Sequence, residues 1–113
     1  MNLVLSRVIV FARDLPRLAA SYRDVLGLPE RPAPDDPHTW REFAAGTCTV
    51  ALHNGGAATT GRPPKLVFYV PDVAVAQAEP NARGTNFGRV VQAGDFTSGT
   101  DPEGNVPSLS NRV

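Results

Sequence analysis

The sequence predicts an α+β fold in which a strand–helix–strand–strand–strand unit occurs twice. Arg7–Asp14 (RVIVFARD) and Lys65–Asp72 (KLVFYVPD) each begin with a cation, continue as an apolar run, and reach an Asp seven positions later. Their offset, 65 − 7 = 58 residues, is about half of the 113 in the chain. The halves also end alike, in Val50–Asn54 (VALHN) and Pro107–Asn111 (PSLSN). Such a repeat predicts one site at which equivalent positions of the two copies face each other.

The elements of the first copy follow from its residue patterns. Leu3–Ala12 is rich in β-branched and aliphatic residues, which is typical of a strand. Asp14 is a predicted helix N-cap and Gly27 the helix stop, because apolar residues recur at helical spacing between them. After a proline-containing loop, two further strands are predicted near residues 38–45 and 47–53.

The second copy repeats this order. Its predicted elements are a strand at 65–70, a helix at 73–83 and strands near 86–91, 95–100 and 106–111. Asp72 is the predicted N-cap of the helix, and Gly84 its stop. Pro80 costs about 3 kcal/mol in a helix interior, so a kink or an early end is expected near Glu79. Asp101–Asn105 (DPEGN) is typical of a tight turn.

Length and composition indicate a single domain over residues 1–113, made of modules 1–54 and 65–113 with a Gly-, Thr- and Pro-containing linker at 55–64. The net charge of +0 favours neither nucleic acid nor an anionic membrane as a partner. No stretch resembles a membrane span or a signal peptide. Cys48 is the only cysteine, which excludes an internal disulfide and indicates a cytoplasmic location.

Four segments together resemble the vicinal oxygen chelate superfamily of glyoxalases, bleomycin-resistance proteins and extradiol dioxygenases. They are Asp14–Gly27 (DLPRLAASYRDVLG), Trp40–Phe43 (WREF), Val50–His53 (VALH) and the Asp101–Asn105 turn. The resemblance covers nearly the whole chain. It implies two tandem βαβββ modules whose strands form a curved, cup-like sheet, the glyoxalase/bleomycin-resistance/dioxygenase fold, often completed by a homodimer. Function does not follow from the fold, because the superfamily hosts several chemistries.

The family resemblance also implies where a metal would bind. Enzymes of the family hold a divalent ion with residues of the first and last strands of each module, and the matching positions here are Arg7, Ala51, Lys65 and Ser108. Arginine cannot lose its proton, alanine has no donor atom, and lysine and serine are poor ligands. We therefore expect no metal and no other cofactor, and a metal-dependent dioxygenase is disfavoured.

Strand alternation, combined with this resemblance, predicts the lining of the cup. The expected ligand-binding residues are Arg7, Ile9, Phe11, Trp40, Ala51, His53, Lys65, Val67, Tyr69, Ser108 and Ser110. An apolar, partly aromatic lining with few polar groups is typical of a small-molecule pocket. Arg7 and Lys65 favour a flat ligand that is neutral or anionic.

Three functions remain open. The first is a non-catalytic protein that sequesters a small organic molecule, as resistance proteins do. The second is a metal-free, glyoxalase-like lyase or isomerase in which His53, Tyr69 or Glu42 transfers a proton. The third is a dimerising or regulatory module without a ligand. Each residue also has a structural alternative: Arg7 and Lys65 as ion-pair partners of Glu42 or another acid, Phe11 and Tyr69 as core between the sheets, and His53 as a surface or otherwise satisfied histidine.

Overall fold

The computed structural model describes residues 2–55, 63–91 and 94–112. The chain divides into two units, Met1–Thr60 and Gly61–Val113, which we call the first and the second unit. Each unit contains one copy of the repeat. Most of the predicted linker, residues 56–62, lies outside the described residues. Among the described residues, no helix has the length and apolar character that crossing a bilayer requires.

Over residues 2–55, the first unit is a four-stranded sheet with one helical segment. Its elements are β1 (Arg7–Ala12), α1 (Leu15–Ala20), a π-helical turn (Ser21–Val25), β2 (Glu30–Arg31), β3 (Trp40–Ala45) and β4 (Cys48–Asn54). The strand order is β1-β4-β3-β2, with β1 parallel to β4 and the other pairs antiparallel. We call this the first sheet.

The helix of the first unit begins and ends where the sequence predicts. The Asp14 side chain accepts a hydrogen bond from the Arg17 backbone N–H at 3.2 Å, which confirms the N-cap. The backbone then widens into the π-helical turn, in which the Leu26 N–H donates to the Ser21 carbonyl. Gly27 follows with a φ of 79°, a conformation that glycine adopts without strain.

One face of the first sheet carries the core of the unit. Val10, Phe43 and Leu52 are buried on this face, and Leu18 and Tyr22 of the helical segment are buried as well. The alternate residues of β1 are exposed. Period-two alternation therefore separates a packed face from an open face, as the sequence predicts for β1.

Within residues 63–91 and 94–112, the second unit contains three strands and one helix. Its elements are β5 (Lys65–Tyr69), α2 (Val73–Ala82), β6 (Phe96–Ser98) and β7 (Val106–Ser110). The strand order is β5-β7-β6, with β5 parallel to β7 and β6 antiparallel to it. We call this the second sheet. Asp72 caps α2 by accepting from the Val75 N–H at 3.1 Å, as predicted.

Two strand predictions are wrong in part. β1 begins at Arg7 rather than Leu3, and the preceding Leu3 is 87% exposed. The predicted strand at 86–91 does not form; Val91 makes only an isolated bridge to Phe96. In this segment side chains replace the backbone ladder: the Phe87 N–H donates to the side-chain oxygen of Asn81 at 3.0 Å. Short-range side-chain bonds of this kind compete with sheet formation.

Of the kink or early end predicted near Glu79, the early end is also wrong, because α2 continues through Pro80 to Ala82. Proline removes one N–H donor, and here it does so in the last turn of the helix. The Pro80 side chain is buried, and its carbonyl accepts from the Thr85 N–H at 3.0 Å. Packing and this bond favour the helical conformation despite the missing donor.

Candidate functional site

The open face of the first sheet gathers six of the eleven residues predicted to bind ligand. Pairing in register places Phe11, His53 and Trp40 in one row across β1, β4 and β3. The remaining predicted members are Arg7, Ile9 and Ala51. Glu42 lies beside Ala51 on the same face, because the two residues pair across β3 and β4.

Two aromatic rings contact His53 at one end of this face. The centres of the Phe11 and His53 rings lie 5.6 Å apart, and those of Trp40 and His53 lie 5.5 Å apart. Both contacts are edge-to-face, a favourable geometry for aromatic pairs. Phe11 is nevertheless 48% exposed, so it does not belong to the packed core of the first unit. We call Phe11, Trp40 and His53 the ring cluster.

Polar groups border the ring cluster. The guanidinium carbon of Arg7 lies 5.7 Å from the centre of a Trp40 ring, within the range of a cation–π contact. The indole N–H of Trp40 donates to a carboxylate oxygen of Glu42 at 2.8 Å. No ion pair joins Arg7 to Glu42, so the alternative in which Arg7 pairs with Glu42 is wrong. Trp40 is the partner of both residues.

The second sheet carries the other five predicted residues. On β5, the side chains of Lys65, Val67 and Tyr69 are exposed, Tyr69 by 58%. Ser108 and Ser110 pair with Val67 and Tyr69 across β7 and are buried. Tyr69 is therefore not part of the packed core of the second unit. A common cup formed by both sheets stays a prediction.

The second sheet also contains two residues that sequence reasoning missed. The ammonium of Lys65 lies 4.4 Å from the centre of the Phe96 ring. The Ser98 and Ser108 hydroxyls form a hydrogen bond of 2.9 Å. Phe96 and Ser98 lie on β6, whose register with β7 the sequence did not reveal. Lys65 and Glu42 lie in different units, so an ion pair between them stays a prediction.

Arg31 and Thr49 are further members of the open face that sequence reasoning missed. Arg31 pairs with Glu42 in register, and its Nη1 donates to the Thr49 hydroxyl at 3.0 Å. Thr49 in turn pairs with Arg7 across β1 and β4. The residue patterns placed Arg31 in a loop, and a two-residue strand carries too little periodicity to be detected.

An ion-pair network fixes β2 from the opposite side. Arg41 donates two hydrogen bonds to the Glu30 carboxylate at 2.5 and 2.9 Å, and Arg23 approaches it at 3.6 Å. These cations hold the pKa of Glu30 below its usual range, mainly through the hydrogen bonds from Arg41. The same contact raises the pKa of Arg41. Glu30 is thereby tied to β3, and Arg31 beside it is held in place.

The four positions that match the family's metal ligands do not fit a divalent ion. Ala51 is fully buried and has no donor atom, and Ser108 is fully buried with its hydroxyl bonded to Ser98. Arg7 and Lys65 each lie against an aromatic ring and are cationic. Within residues 2–55, 63–91 and 94–112, no group of three or more His, Cys, Asp or Glu could hold a metal.

Solved structures with very different activities share this fold. The chain is similar to an antibiotic-binding protein, TnmS3, from Streptomyces sp. CB03234, at 17% identity and a TM-score of 0.81, with 96% of this chain and 95% of that chain covered. It is similar to a lactoylglutathione lyase from Agrobacterium tumefaciens, at 21% identity and a TM-score of 0.75, with 95% and 92% covered. A glyoxalase/bleomycin resistance protein from the same Streptomyces matches at 18% identity and a TM-score of 0.77, with 95% and 99% covered.

These similarities confirm the predicted fold. The chain has the α+β fold of repeated βαβββ modules that glyoxalases and bleomycin-resistance proteins share, so the resemblance to the vicinal oxygen chelate superfamily holds for the fold. No family model matches the sequence. No curated protein matches it either. The neighbours include a lyase and a binding protein, and the choice between them rests on the residues of this chain.

Proposed function

We propose that this chain, built on the fold of the vicinal oxygen chelate superfamily, is a binding protein for a small, flat organic molecule that is neutral or anionic. It holds this molecule without a metal ion, as a sequestration or resistance protein would. The ring cluster is the observation that carries the proposal. We propose the cytoplasm as its location, since a lone Cys48 suits a reducing compartment.

The ring cluster has the properties of a stacking surface. Phe11 and Trp40 contact His53 from two sides, so the three rings support one another's orientation. The exposed half of Phe11 is available to a ligand that removes it from water, and burial of apolar surface yields about 25 cal/mol per Å². Few polar groups border the rings, which is the usual composition of a pocket for an organic ligand.

The donor chemistry supports binding without a metal. Arginine and alanine occupy two of the positions at which family enzymes place ligands, and the serine hydroxyl at a third already has a partner in Ser98. A cation at the fourth position, Lys65, would repel a divalent ion on Coulomb grounds. We therefore assign no step of the proposed function to a metal.

The metal-free enzyme receives less support. A general base needs a partner that orients it and a proton within hydrogen-bond reach. His53 contacts two rings, and no side chain of the described residues donates to or accepts from its imidazole. Glu42 is engaged by the Trp40 indole, and Tyr69 lies on the second sheet. These groups do not form a catalytic constellation within either unit.

A dimerising role is the second candidate, and a specific observation favours it. Leu3, Val4 and Leu5 are consecutive, apolar and at least 70% exposed. Val67 and Tyr69 add exposed apolar surface on the second sheet. Contiguous exposed apolar residues often mark an interface, and we propose a homodimer of this chain as the partner. Dimerisation and ligand binding are compatible with each other.

Trp40 provides a direct test, because it is the only tryptophan in the chain. A panel of flat aromatic acids, amides and antibiotics is titrated while Trp40 fluorescence is recorded, and saturable quenching at one ligand per chain is expected. Phe11→Ser should lower the affinity for the bound compound at least about ten-fold, because it removes stacking surface. Val75→Ser, at an exposed apolar position on α2, is the matched control and should not change affinity.

The same samples separate the three functions. Mass spectrometry of the equilibrated mixture should recover the ligand unchanged, and its conversion to product would favour the enzyme instead. Light scattering measures the oligomeric state. Folded protein that gives no saturable response to any compound, yet forms a stable dimer, would refute the proposed binding function and support the dimerising role.

A further inference from the structure

Two guanidinium groups on the open face of the first sheet lack an acidic partner. Four arginines of the described residues form ion pairs: Arg23, Arg41, Arg83 and Arg112. Arg7 and Arg31 form none with the acids of residues 2–55, 63–91 and 94–112. A cation that the protein does not neutralise is a candidate for neutralising a ligand.

These two residues flank Thr49 on the open face; the Arg31 guanidinium contacts it, whereas that of Arg7 lies over Trp40. Arg7 pairs with Thr49 from β1, and Arg31 reaches Thr49 from β2, with its Nη1 3.0 Å from the hydroxyl oxygen. Thr49 is buried, 7% exposed, so its hydroxyl holds a fixed position in the sheet. A guanidinium carries five N–H donors, and the bond to Thr49 uses one of those on Arg31.

The acid on this face is committed to another partner. Glu42 pairs with Arg31 in register, yet the two form no ion pair; the Glu42 carboxylate accepts a hydrogen bond from the Trp40 indole at 2.8 Å. Arg31 itself is pre-positioned, since its neighbour Glu30 is held by Arg41 on the opposite side. A pre-positioned donor loses little freedom on binding.

We infer that Arg31, Thr49 and Arg7 form a subsite for the acidic group of the ligand, next to the ring cluster. The inference rests on the proposed function and narrows the ligand class to elongated aromatic acids. Thr49 and His53 are four residues apart on β4, which corresponds to about 13 Å along a strand. A molecule of about two connected rings with a terminal carboxylate spans that distance. Arg31 binds the acid, and Thr49 acts as a positioning residue for Arg31.

Biphenyl-4-carboxylate and biphenyl-4-carboxamide are the probes, because they differ in charge and hardly in shape. Calorimetry should show the wild-type protein binding the carboxylate at least about ten-fold more tightly than the amide, since charge-assisted hydrogen bonds are stronger than neutral ones. Benzoate carries the same acid but is too short to place its acid at Arg31 beside Thr49 while its ring contacts His53, about 13 Å along β4, so it should bind far more weakly than the biphenyl acid.

Variants then assign the preference to named residues. Arg31→Met keeps the aliphatic stem and should remove the preference for the acid while the amide binds as before. Arg31→Lys should retain part of the preference for the acid, through charge alone. Thr49→Val should reduce the preference without unfolding the protein. Arg17→Met, on the exposed surface of α1, removes an equal charge as the matched control and should leave both affinities unchanged.

A measurement on the wild-type protein covers the case in which these variants misfold. Raising the salt concentration should weaken binding of the biphenyl acid and leave the amide unaffected, because ions screen the guanidinium groups. Equal affinities for acid and amide, or an acid preference that survives Arg31→Met, would overturn the subsite and leave the proposed function standing. Binding of other flat compounds, but of neither biphenyl compound, would also overturn the subsite and leave the proposed function standing. A protein that binds no flat compound at all would overturn both.

Discussion

Arg7 lies over the ring of Trp40, 5.7 Å from its centre, although β4 separates their two strands. In register, Arg7 is opposite Thr49 and Trp40 is opposite His53, so the contact runs diagonally across four residues of β4. This diagonal passes Ala51, which is buried and too small to block it. A large side chain at this position would separate the cation from the ring.

The second unit repeats the same relationship. Lys65 contacts the Phe96 ring at 4.4 Å across β7. Lys65 is opposite Val106 and Phe96 is opposite Ser110, again four residues apart on the central strand. The duplication that the sequence shows in its first strands therefore extends to a cation–aromatic pair in each sheet. Trp40 and Phe96 are the equivalent aromatic residues.

The Arg7–Trp40 contact predicts a measurable coupling energy. In a double-mutant cycle of Arg7→Met and Trp40→Leu, urea unfolding should give a coupling of about 0.5–1 kcal/mol, the usual value for an exposed cation–π pair. The cycle of Arg17→Met with Trp40→Leu is the control and should be additive. Additivity in the Arg7 cycle would show that the contact contributes nothing to stability.

Two phenylalanines of the first sheet predict losses of stability of very different size. Phe43→Ala removes a fully buried ring and should lower the free energy of unfolding by about 3–5 kcal/mol. Phe11→Ala removes a ring that is half exposed on the open face and should cost about 1 kcal/mol or less. Urea denaturation of both variants checks this, and similar losses for the two would place Phe11 in the core.

Local chemistry explains what the sequence predicted correctly. Asp14 and Asp72 precede apolar runs with helical spacing, and each accepts the expected backbone N–H. Gly27 and Gly84 follow the helical segments with positive φ angles. Caps and glycine stops act over a few residues, so the sequence contains all the information they need.

The missed residues depend on partners that are distant in sequence. Arg31 joins the open face only because β2 pairs with β3, and Phe96 meets Lys65 only through the register of β6 with β7. The predicted strand at 86–91 does not form, because side chains such as Asn81 accept hydrogen bonds from its backbone. Strand propensity does not report such competition.

The Glu30–Arg41 pair predicts an acid-dependent loss of stability. The pKa of Glu30 is lowered in the folded chain, so the unfolded chain binds its proton more readily, at a pKa of about 4.3. The pair therefore stabilises the protein above about pH 4.3, and this contribution is lost as pH falls through the lower folded value. Glu30→Gln should cost about 1 kcal/mol at pH 7, and the difference from wild type should vanish near pH 2.

Urea unfolding at a series of pH values measures this difference. The control is Glu79→Gln, because Glu79 pairs with Arg83 on the surface of α2 with its side chain 78% exposed. That substitution should change stability by less than about 0.5 kcal/mol at any pH. A pH-independent cost of Glu30→Gln would contradict the assignment of the effect to the ion pair.

The turn before β7 predicts a large effect of a single carboxylate. Asp101 accepts hydrogen bonds from the Glu103 N–H at 2.8 Å and from the backbone and side-chain amides of Asn105 at 3.0 and 2.8 Å. Asp101→Ala should lower the free energy of unfolding by about 2–3 kcal/mol, because buried donors lose their acceptor. Thermal unfolding checks this, with exposed Asp35→Ala as a control expected to have little effect.

Chelation should leave the protein unchanged. None of Arg7, Ala51, Lys65 and Ser108 offers a suitable metal ligand, so dialysis against EDTA should alter neither the melting temperature nor the affinity for a flat aromatic compound. Elemental analysis of protein purified without chelators accompanies the measurement. A stoichiometric divalent ion whose removal lowers the melting temperature would contradict the assignment.

The parallel pairing of first and last strands has a consequence for how the chain folds. Arg7 meets Thr49 across 49 − 7 = 42 residues, and Lys65 meets Val106 across 106 − 65 = 41. Loop-closure entropy depends on the length of the intervening chain, so the two units face nearly the same entropic barrier. Topology therefore does not favour faster folding of one unit over the other. The last strand of each unit, β4 or β7, pairs with the first strand and with the preceding strand of that unit. A nascent chain that still lacks this last strand cannot form either pairing.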